Sequence, residues 1–338
     1  MKKKLKILAA AACVLTLSLT LMTGCGEDSG GSEGAITLKA GMGVNKEDCS
    51  YYLCFEKFKE IVEEKSDGEI QVEVYSDGTL GDERDLVEGC QGGTVDICVT
   101  ATGPLASFIE EINVLNLPFL FDDLEHEREV LNSGILDAFN EDYEAAGLKN
   151  LGYMEVGFRN VINNKQPIEE LGDCKGVKIR TLENDIMVSS YKALGFEVTP
   201  MALSEVVTSL QNGTINGVDN PLTMDTAGNY HELCDYLTLT EVIMPLGPVT
   251  MSLDTWNSLS EEQQKIVQEA MAEAIQWQHE DNEAKIQVAY DEMKEYGTQI
   301  VDQVKDKDKW LDAVQTVYDE YADIIDQDVL KQIEDLKK

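Results

Sequence analysis

The segment Ser66-Asp67-Gly68-Glu69-Ile70-Gln71-Val72-Glu73-Val74-Tyr75 joins a turn to a strand. Asp-Gly favours a turn, and from Ile70 apolar and polar residues alternate with period two, as in a strand with one buried face. Upstream, Tyr51 to Glu64 carries Leu53, Phe55, Phe58, Ile61 and Val62 at helical spacing, and Ile36 to Met42 reads as a first strand. Downstream follow a helix from Asp82 to Gln91, a strand from Val95 to Thr100 and a helix from Glu125 to Ala146. Alternating β and α elements of these lengths predict an α/β domain with a mainly parallel sheet.

The pattern restarts at Leu151 with a strand to Ile162. Next come a strand from Val177 to Thr181, a helix from Asp185 to Leu194, a strand from Glu197 to Pro200, a helix from Ser204 to Asn212 and a strand from Gly217 to Asp219. This predicts a second α/β unit. Ser260-Glu261-Glu262-Gln263 fits a capped helix start, and no Pro or Gly interrupts residues 261–296. Such a helix spans roughly 54 Å at about 1.5 Å per residue, long enough to brace two domains. Ile266, Ala270, Ala274 and Trp277 lie along one side of it, as in any amphipathic packing helix.

With 338 residues, 43% of them hydrophobic, the chain can bury the cores of two domains. Its one long uncharged apolar run, Ile7 to Met22, follows Lys2, Lys3, Lys4 and Lys6 and ends at Thr23-Gly24-Cys25. A basic start, a short apolar stretch and small residues read as a secretion signal over residues 1–24; the run is shorter than the ~20 residues a spanning helix needs. Leu21-Met22-Thr23-Gly24-Cys25 resembles a bacterial lipobox, which makes Cys25 the expected lipidation site. Gly26 to Gly34 is Gly-, Ser- and acid-rich, so residues 25–35 read as a flexible tether. The expected location is therefore the outer face of the cell membrane.

Without residues 1–24 the chain keeps 23 basic against 64 acidic residues, a net charge of −41. Such a surface repels nucleic acid and anionic lipid, and an anionic solute needs a local positive site to be held. Of eight cysteines, Cys49, Cys54, Cys90, Cys98, Cys174 and Cys234 remain beyond Cys25, with no C-x-x-C and no Cys/His zinc spacing. No metal site and no cofactor is expected, while the disulfide state stays open between an oxidising and an anaerobic habitat. No G-x-S-x-G, Walker A, H-E-x-x-H or G-x-G-x-x-G occurs, and His126, His231 and His279 lie far apart. The sequence offers no catalytic constellation.

Arginine usage is the sharpest signal. Only four of 27 basic residues are Arg. Arg84 and Arg128 sit among acids on predicted helices and read as solvated ion pairs of little weight. Arg159 and Arg180 lie in strand-like surroundings, Gly157-Phe158-Arg159-Asn160-Val161 and Val177-Lys178-Ile179-Arg180-Thr181. A planar guanidinium binds a carboxylate bidentately where an ammonium cannot. A buried structural salt bridge accounts for these two arginines equally well.

Gly157-Phe158-Arg159-Asn160, Lys175-Gly176-Val177-Lys178-Ile179-Arg180, Ala193-Leu194-Gly195-Phe196, Pro200-Met201-Ala202-Leu203-Ser204-Glu205-Val206, Leu210-Gln211-Asn212-Gly213 and Gly217-Val218-Asp219-Asn220-Pro221 occur in that order. Asp77-Gly78-Thr79-Leu80-Gly81, Gly93-Thr94-Val95-Asp96 and Leu117-Pro118-Phe119 precede them. Together they resemble the substrate-binding, DctP-type subunits of tripartite ATP-independent periplasmic (TRAP) transporters over nearly the whole mature chain.

The resemblance implies a periplasmic-binding-protein-like, type II-like α/β fold of two domains closing on one ligand. Domain I would comprise residues 36–157 plus 246–285 and domain II residues 158–245 plus 286–338, with helix 261–296 spanning both. By position, Arg180 matches the arginine that salt-bridges the substrate carboxylate, Arg159 a second cleft arginine and Asn220 an asparagine on the same carboxylate. Leu203 falls at a ligand-facing apolar or aromatic position. Two departures argue against sialate: Ala101, flanked by Thr100 and Thr102, replaces an acid, and Gly43 stands at the polar position of the first strand. A smaller C4-dicarboxylate, keto acid or sugar acid is the expected ligand, with Thr100, Thr102, Tyr51, Tyr52 and Asn45 supplying the rest of the pocket, although helix packing explains the tyrosines equally well. The expected partners are TRAP-type membrane subunits, served by a monomer. Rival readings are a binding protein for an ATP-driven importer, a ligand-sensing co-receptor and an exported hydrolase or isomerase using a carboxylate pair.

Overall fold

The computed structural model describes residues 35–44 and 49–337. The expected signal segment, Cys25, the tether and Asn45 lie outside these residues. The chain runs through β1 (Ile36–Gly41), α1 (Ser50–Lys65), β2 (Ile70–Tyr75), α2 (Glu83–Gln91), β3 (Ile97–Val99), α3 (Thr102–Leu105), α4 (Leu124–Ser133), α5 (Asn140–Ala145) and β4 (Leu148–Met154). It continues through β5 (Arg159–Asn163), β6 (Lys178–Thr181), α6 (Asp185–Ala193), β7 (Glu197–Pro200), α7 (Val206–Gln211), β8 (Gly217–Pro221), α8 (Leu222–Ala227) and β9 (Tyr236–Ile243). Then β10 (Gly247–Ser252), α9 (Leu253–Ser258), α10 (Glu261–Tyr296), β11 (Gln299–Val301), α11 (Lys307–Glu320) and α12 (Gln327–Glu334) complete it.

Two sheets result, ordered β2-β1-β3-β10-β4 and β11-β9-β5-β8-β6-β7. Both are mixed, which corrects the expectation of mainly parallel pairing. β1 pairs parallel with β2 and β3, and β6 with β7 and β8, as helical crossovers require. β10 runs antiparallel to β3 and β4, and β5 antiparallel to β8 and β9. These two strands enter their sheets directly from the other domain, with no crossover helix to set their direction.

The expected strand from Leu151 to Ile162 is thus two strands in two sheets. Between them Gly157 has φ +87°, and a Cβ there would lie 3.0 Å from Ile286 Cδ1 of α10. A side chain is strained at that φ and crowded by the helix, so glycine lets the chain cross beneath it. Likewise Gly134, at φ +82°, breaks the expected helix over 125–146 into α4, a 3-10 turn over Ile135–Phe139 and α5.

Helix α10 has the predicted bounds. The Ser260 side chain accepts from the Gln263 N–H while the Gln263 side chain accepts from the Ser260 N–H, and Gly297 ends the helix at φ +105°. Val267, Ala270, Met271 and Ala274 bury against α1 and the first sheet, in a core that holds Phe55, Phe58, Leu38 and Val72. Ala289 and Met293 bury in the second domain's core with Ile162, Val206 and Leu210. The tail, expected wholly in the second domain, bridges both. α11 packs on α6, while α12 packs on the 135–139 turn, where His126 Nε2 lies 2.9 Å from the Ile333 carbonyl. Between the lobes, Asn184 Nδ2 donates to Asn113 Oδ1 at 2.9 Å.

Candidate ligand-binding cleft

A cavity of about 460 Å³ lies between the lobes. The first lobe lines it with Gly43, Tyr51 at the start of α1, Glu83 at the start of α2 and Ala101 after β3. The second lobe contributes Arg159 from β5, Arg180 from β6, Asn220 from β8 and Met201 and Leu203 from the loop after β7. Glu155 of the crossing segment and Asn282 of α10 line it as well. Arg180 and Asn220 stand toward the carboxyl ends of parallel strands, where α/β sheets bind ligands.

The two strand arginines are held differently. Arg159, 2% exposed, forms an ion pair through Nε with the buried Asp219 carboxylate, and its Nη2 donates to the Asp219 carbonyl. Burial pulls its pKa down and Asp219 more than restores it. Arg180, 1% exposed, donates from Nε to the Met201 carbonyl at 2.9 Å. Its Nη2 has no partner, and no carboxylate stands within ion-pair distance among the described residues. Burial, reinforced by Arg159, lowers its pKa. An unpaired buried charge costs several kcal/mol, and no described residue offsets that cost at Arg180 with an ion pair.

Asn220, 1% exposed, lies close enough to Asp225 to lower that carboxyl's pKa, but its Nδ2 has no partner in hydrogen-bond geometry. Burial dominates at Asp225 and raises its pKa well above the usual carboxylate range. The Tyr51 hydroxyl, on the cavity wall, is buried and has no hydrogen-bond partner among the described residues. Leu203 is half-buried there. Tyr51, Arg159, Arg180, Leu203 and Asn220 thus line one cavity.

Thr100 and Thr102 do not line the cavity, contrary to expectation. The Thr102 hydroxyl donates to Asn116 Oδ1 at 2.7 Å, and the Thr100 and Thr102 N–H groups donate to the carbonyls of Pro248, in β10, and Leu246, just before it. Successive residues of an extended chain face opposite ways, so presenting Ala101 to the cleft turns both threonines away. Tyr52 does not line the cavity either. Arg128, expected in a solvated pair, joins Glu155 through Nε and Nη2, Glu283 of α10 at 2.9 Å and the His279 carbonyl at 3.0 Å. It ties α4 to the crossing segment and the long helix.

Glu83 went unrecognised in the sequence. Its Oε1 accepts the Ala101 N–H at 2.6 Å, and burial raises its pKa against the lowering effect of that bond. Within Asp82-Glu83-Arg84-Asp85 the available signal was the capping box. Asp82 and Asp85 cap α2 reciprocally, which explains two acids and leaves Glu83 over.

Cys49 is the one thiol on the wall, and burial pushes its pKa up to about 11, so it stays protonated and a poor nucleophile. All six described cysteines are buried and unpaired.

Two lobes joined by crossing strands and a long helix, around a cleft with an unmatched buried cation, define a solute trap. The model of the bacterial extracellular solute-binding proteins of family 7, DctP, matches residues 41–324, and the chain belongs to that TRAP-transporter family. The 2,3-diketo-L-gulonate-binding periplasmic protein of Escherichia coli (strain K12) is 28% identical over 306 residues, 90% of this chain and 93% of that one. A solute-binding protein of Verminephrobacter eiseniae is 38% identical over 188 residues, 56% of each chain. Among solved structures, a TRAP periplasmic solute-binding protein from Polaromonas sp. JS666 bound to D-erythronate superposes with a TM-score of 0.86 at 31% identity, covering 90% of this chain and 99% of the other.

Proposed function

We propose that this protein captures a sugar acid with one carboxylate and several hydroxyls and delivers it to TRAP-type membrane subunits. Arg180 clamps the carboxylate, the Asn220 amide donates to it, Glu83 accepts from ligand hydroxyls, and Leu203 covers an apolar edge. Tyr51 offers a further hydroxyl.

The observation that carries this reading is the unmatched Arg180 guanidinium. Its neighbours narrow the ligand. Arg159 is neutralised by Asp219, so one positive charge is free, and a second ligand carboxylate would meet Glu83. A hydroxyl there would instead gain a charge-assisted hydrogen bond. Relatives known as binders of 2,3-diketo-L-gulonate and D-erythronate support the same class.

Closure of the lobes buries the acid and creates the surface the membrane subunits recognise. The ion gradient drives transport through those subunits, and this chain performs no chemistry. Cys25 carries the lipid that holds it, as a monomer, at the outer face of the membrane; Cys25→Ala should release it from the membrane fraction.

A thermal-shift screen of the mature chain against sugar acids, keto acids and C4-dicarboxylates tests the reading. A ligand at 100 times its Kd stabilises by about 2.7 kcal/mol, a clear shift. A response to aldonates or uronates above that to succinate or malate is expected. No response to any carboxylate would overturn the reading, and a response to dicarboxylates alone would overturn the ligand class.

A further inference from the structure

The turn of α10 from Gln278 to Glu283 is where the long helix, the crossing segment and the cavity meet, and its buried groups are committed to the fold with two exceptions: Asp281, whose Oδ2 has no partner among the described residues but which does not line the cavity, and Asn282. Gln278 Oε1 accepts the Glu155 N–H at 3.0 Å, and Nε2 donates to the Glu155 carbonyl at 2.9 Å and the Ser50 hydroxyl at 2.8 Å. The His279 carbonyl and the Glu283 carboxylate both hold Arg128. Asn282 is the exception on the cavity wall. It lines the cavity, is 1% exposed, and its Nδ2 has no partner among the described residues.

Buried amides are almost always hydrogen-bonded, and one left alone costs stability. Asparagine is also a poor choice for the interior of a helix, whose backbone its side chain competes with. Helix formation does not explain Asn282, and neither does packing, since an apolar residue of the same shape would fill the place without an orphaned donor. Arg180 lines the same cavity from the second lobe's sheet.

We propose that Asn282 is a ligand-contacting, specificity-determining residue. It donates to a hydroxyl or carbonyl oxygen in the part of the acid that extends from Arg180 toward the hinge, and so sets the chain length the cleft prefers. The inference rests on the sugar-acid reading above and adds the long helix, so far only a brace, to the binding surface.

Calorimetric titration of the mature chain with aldonates of three to six carbons (glycerate, erythronate, ribonate, gluconate and galactonate) tests it, using wild type, Asn282→Leu and Asn282→Asp. The longest aldonate that wild type binds tightly should lose about tenfold in affinity in both variants, as expected for one hydrogen bond, and glycerate less than twofold. The ligand-free melting temperature of Asn282→Leu should equal or exceed that of wild type, because an unpartnered donor has gone. Equal loss at every chain length, or none at any, would overturn the proposal. Should the leucine variant fail to fold, the isosteric Asn282→Asp decides by the same length dependence. If wild type binds no aldonate this inference fails, and if the screen above finds no uronate either the sugar-acid reading fails with it; both outcomes are distinct from length-independent loss in a protein that binds.

Discussion

Arg159 and Arg180 stand on strands of one sheet, two removed from each other, both buried and both on the cavity wall. Asp219 satisfies the first, whereas the second is left with an unpartnered nitrogen. The same side chain at similar depth therefore has two uses. On the proposed reading, a guanidinium whose counter-ion is built into the fold belongs to the scaffold, and one whose counter-ion is missing serves the ligand. Glu127 on α4 is the anionic mirror of Arg180. It is fully buried with neither oxygen hydrogen-bonded among the described residues, it does not line the cavity, and burial raises its pKa well above normal, which favours its neutral form.

The largest effect should follow from breaking the built-in pair. Arg159→Ala leaves the Asp219 carboxylate buried and unpaired and should cost about 3–5 kcal/mol of stability without any ligand, read by urea unfolding. Little loss would mean that the pair is not structural.

Arg180→Ala should behave oppositely. Ligand-free stability is expected unchanged or higher, while affinity for the cognate acid falls by about 2–5 kcal/mol in a calorimetric titration. Binding as tight as wild type would end the clamp assignment.

Glu127→Gln separates the unpaired anion from both arginines. Its carboxyl has a raised folded pKa, so the fold holds a proton that the unfolded chain releases near pH 4.3. Below that pH the group costs nothing, and as pH rises through the folded value stability is lost. The substitution should therefore stabilise by about 1–3 kcal/mol at pH 8 and by much less at pH 4.5, in paired thermal melts at the two pH values. An equal gain at both would point to packing instead of charge.

Glu83→Gln should act only on selectivity. A hydroxy acid is expected to lose about tenfold in affinity, near 1.4 kcal/mol, while succinate gains, since the repelling carboxylate has gone. A parallel loss for both would place Glu83 outside hydroxyl recognition.

Much of this was legible in the chain. Period-two runs, the 36-residue uninterrupted helix with its Ser260–Gln263 cap and the alternating elements gave both α/β units and the brace, because these signals are local. Arg159, Arg180 and Asn220 were visible through scarce arginine and ordered landmarks. Mixed pairing was not visible, because strand direction depends on which domain the chain arrives from. Glu83 was hidden among look-alike acids, and Asn282 within a helix that needed no further explanation.

The sequence by itself determined the elements, the acidic surface and two arginines in strands, because propensity, periodicity and composition act over a few residues. Composition and spacing left Arg159 and Arg180 as equals, and the family resemblance ranked Arg180 first without a physical reason. The tertiary structure supplied that reason, by bringing Asp219 of β8 against Arg159 of its neighbour β5 and leaving Arg180 with no acid at ion-pair distance among the described residues. Whether a buried charge serves the fold or awaits a ligand depends on what stands within a few ångströms of it, and that is set by residues distant in the chain.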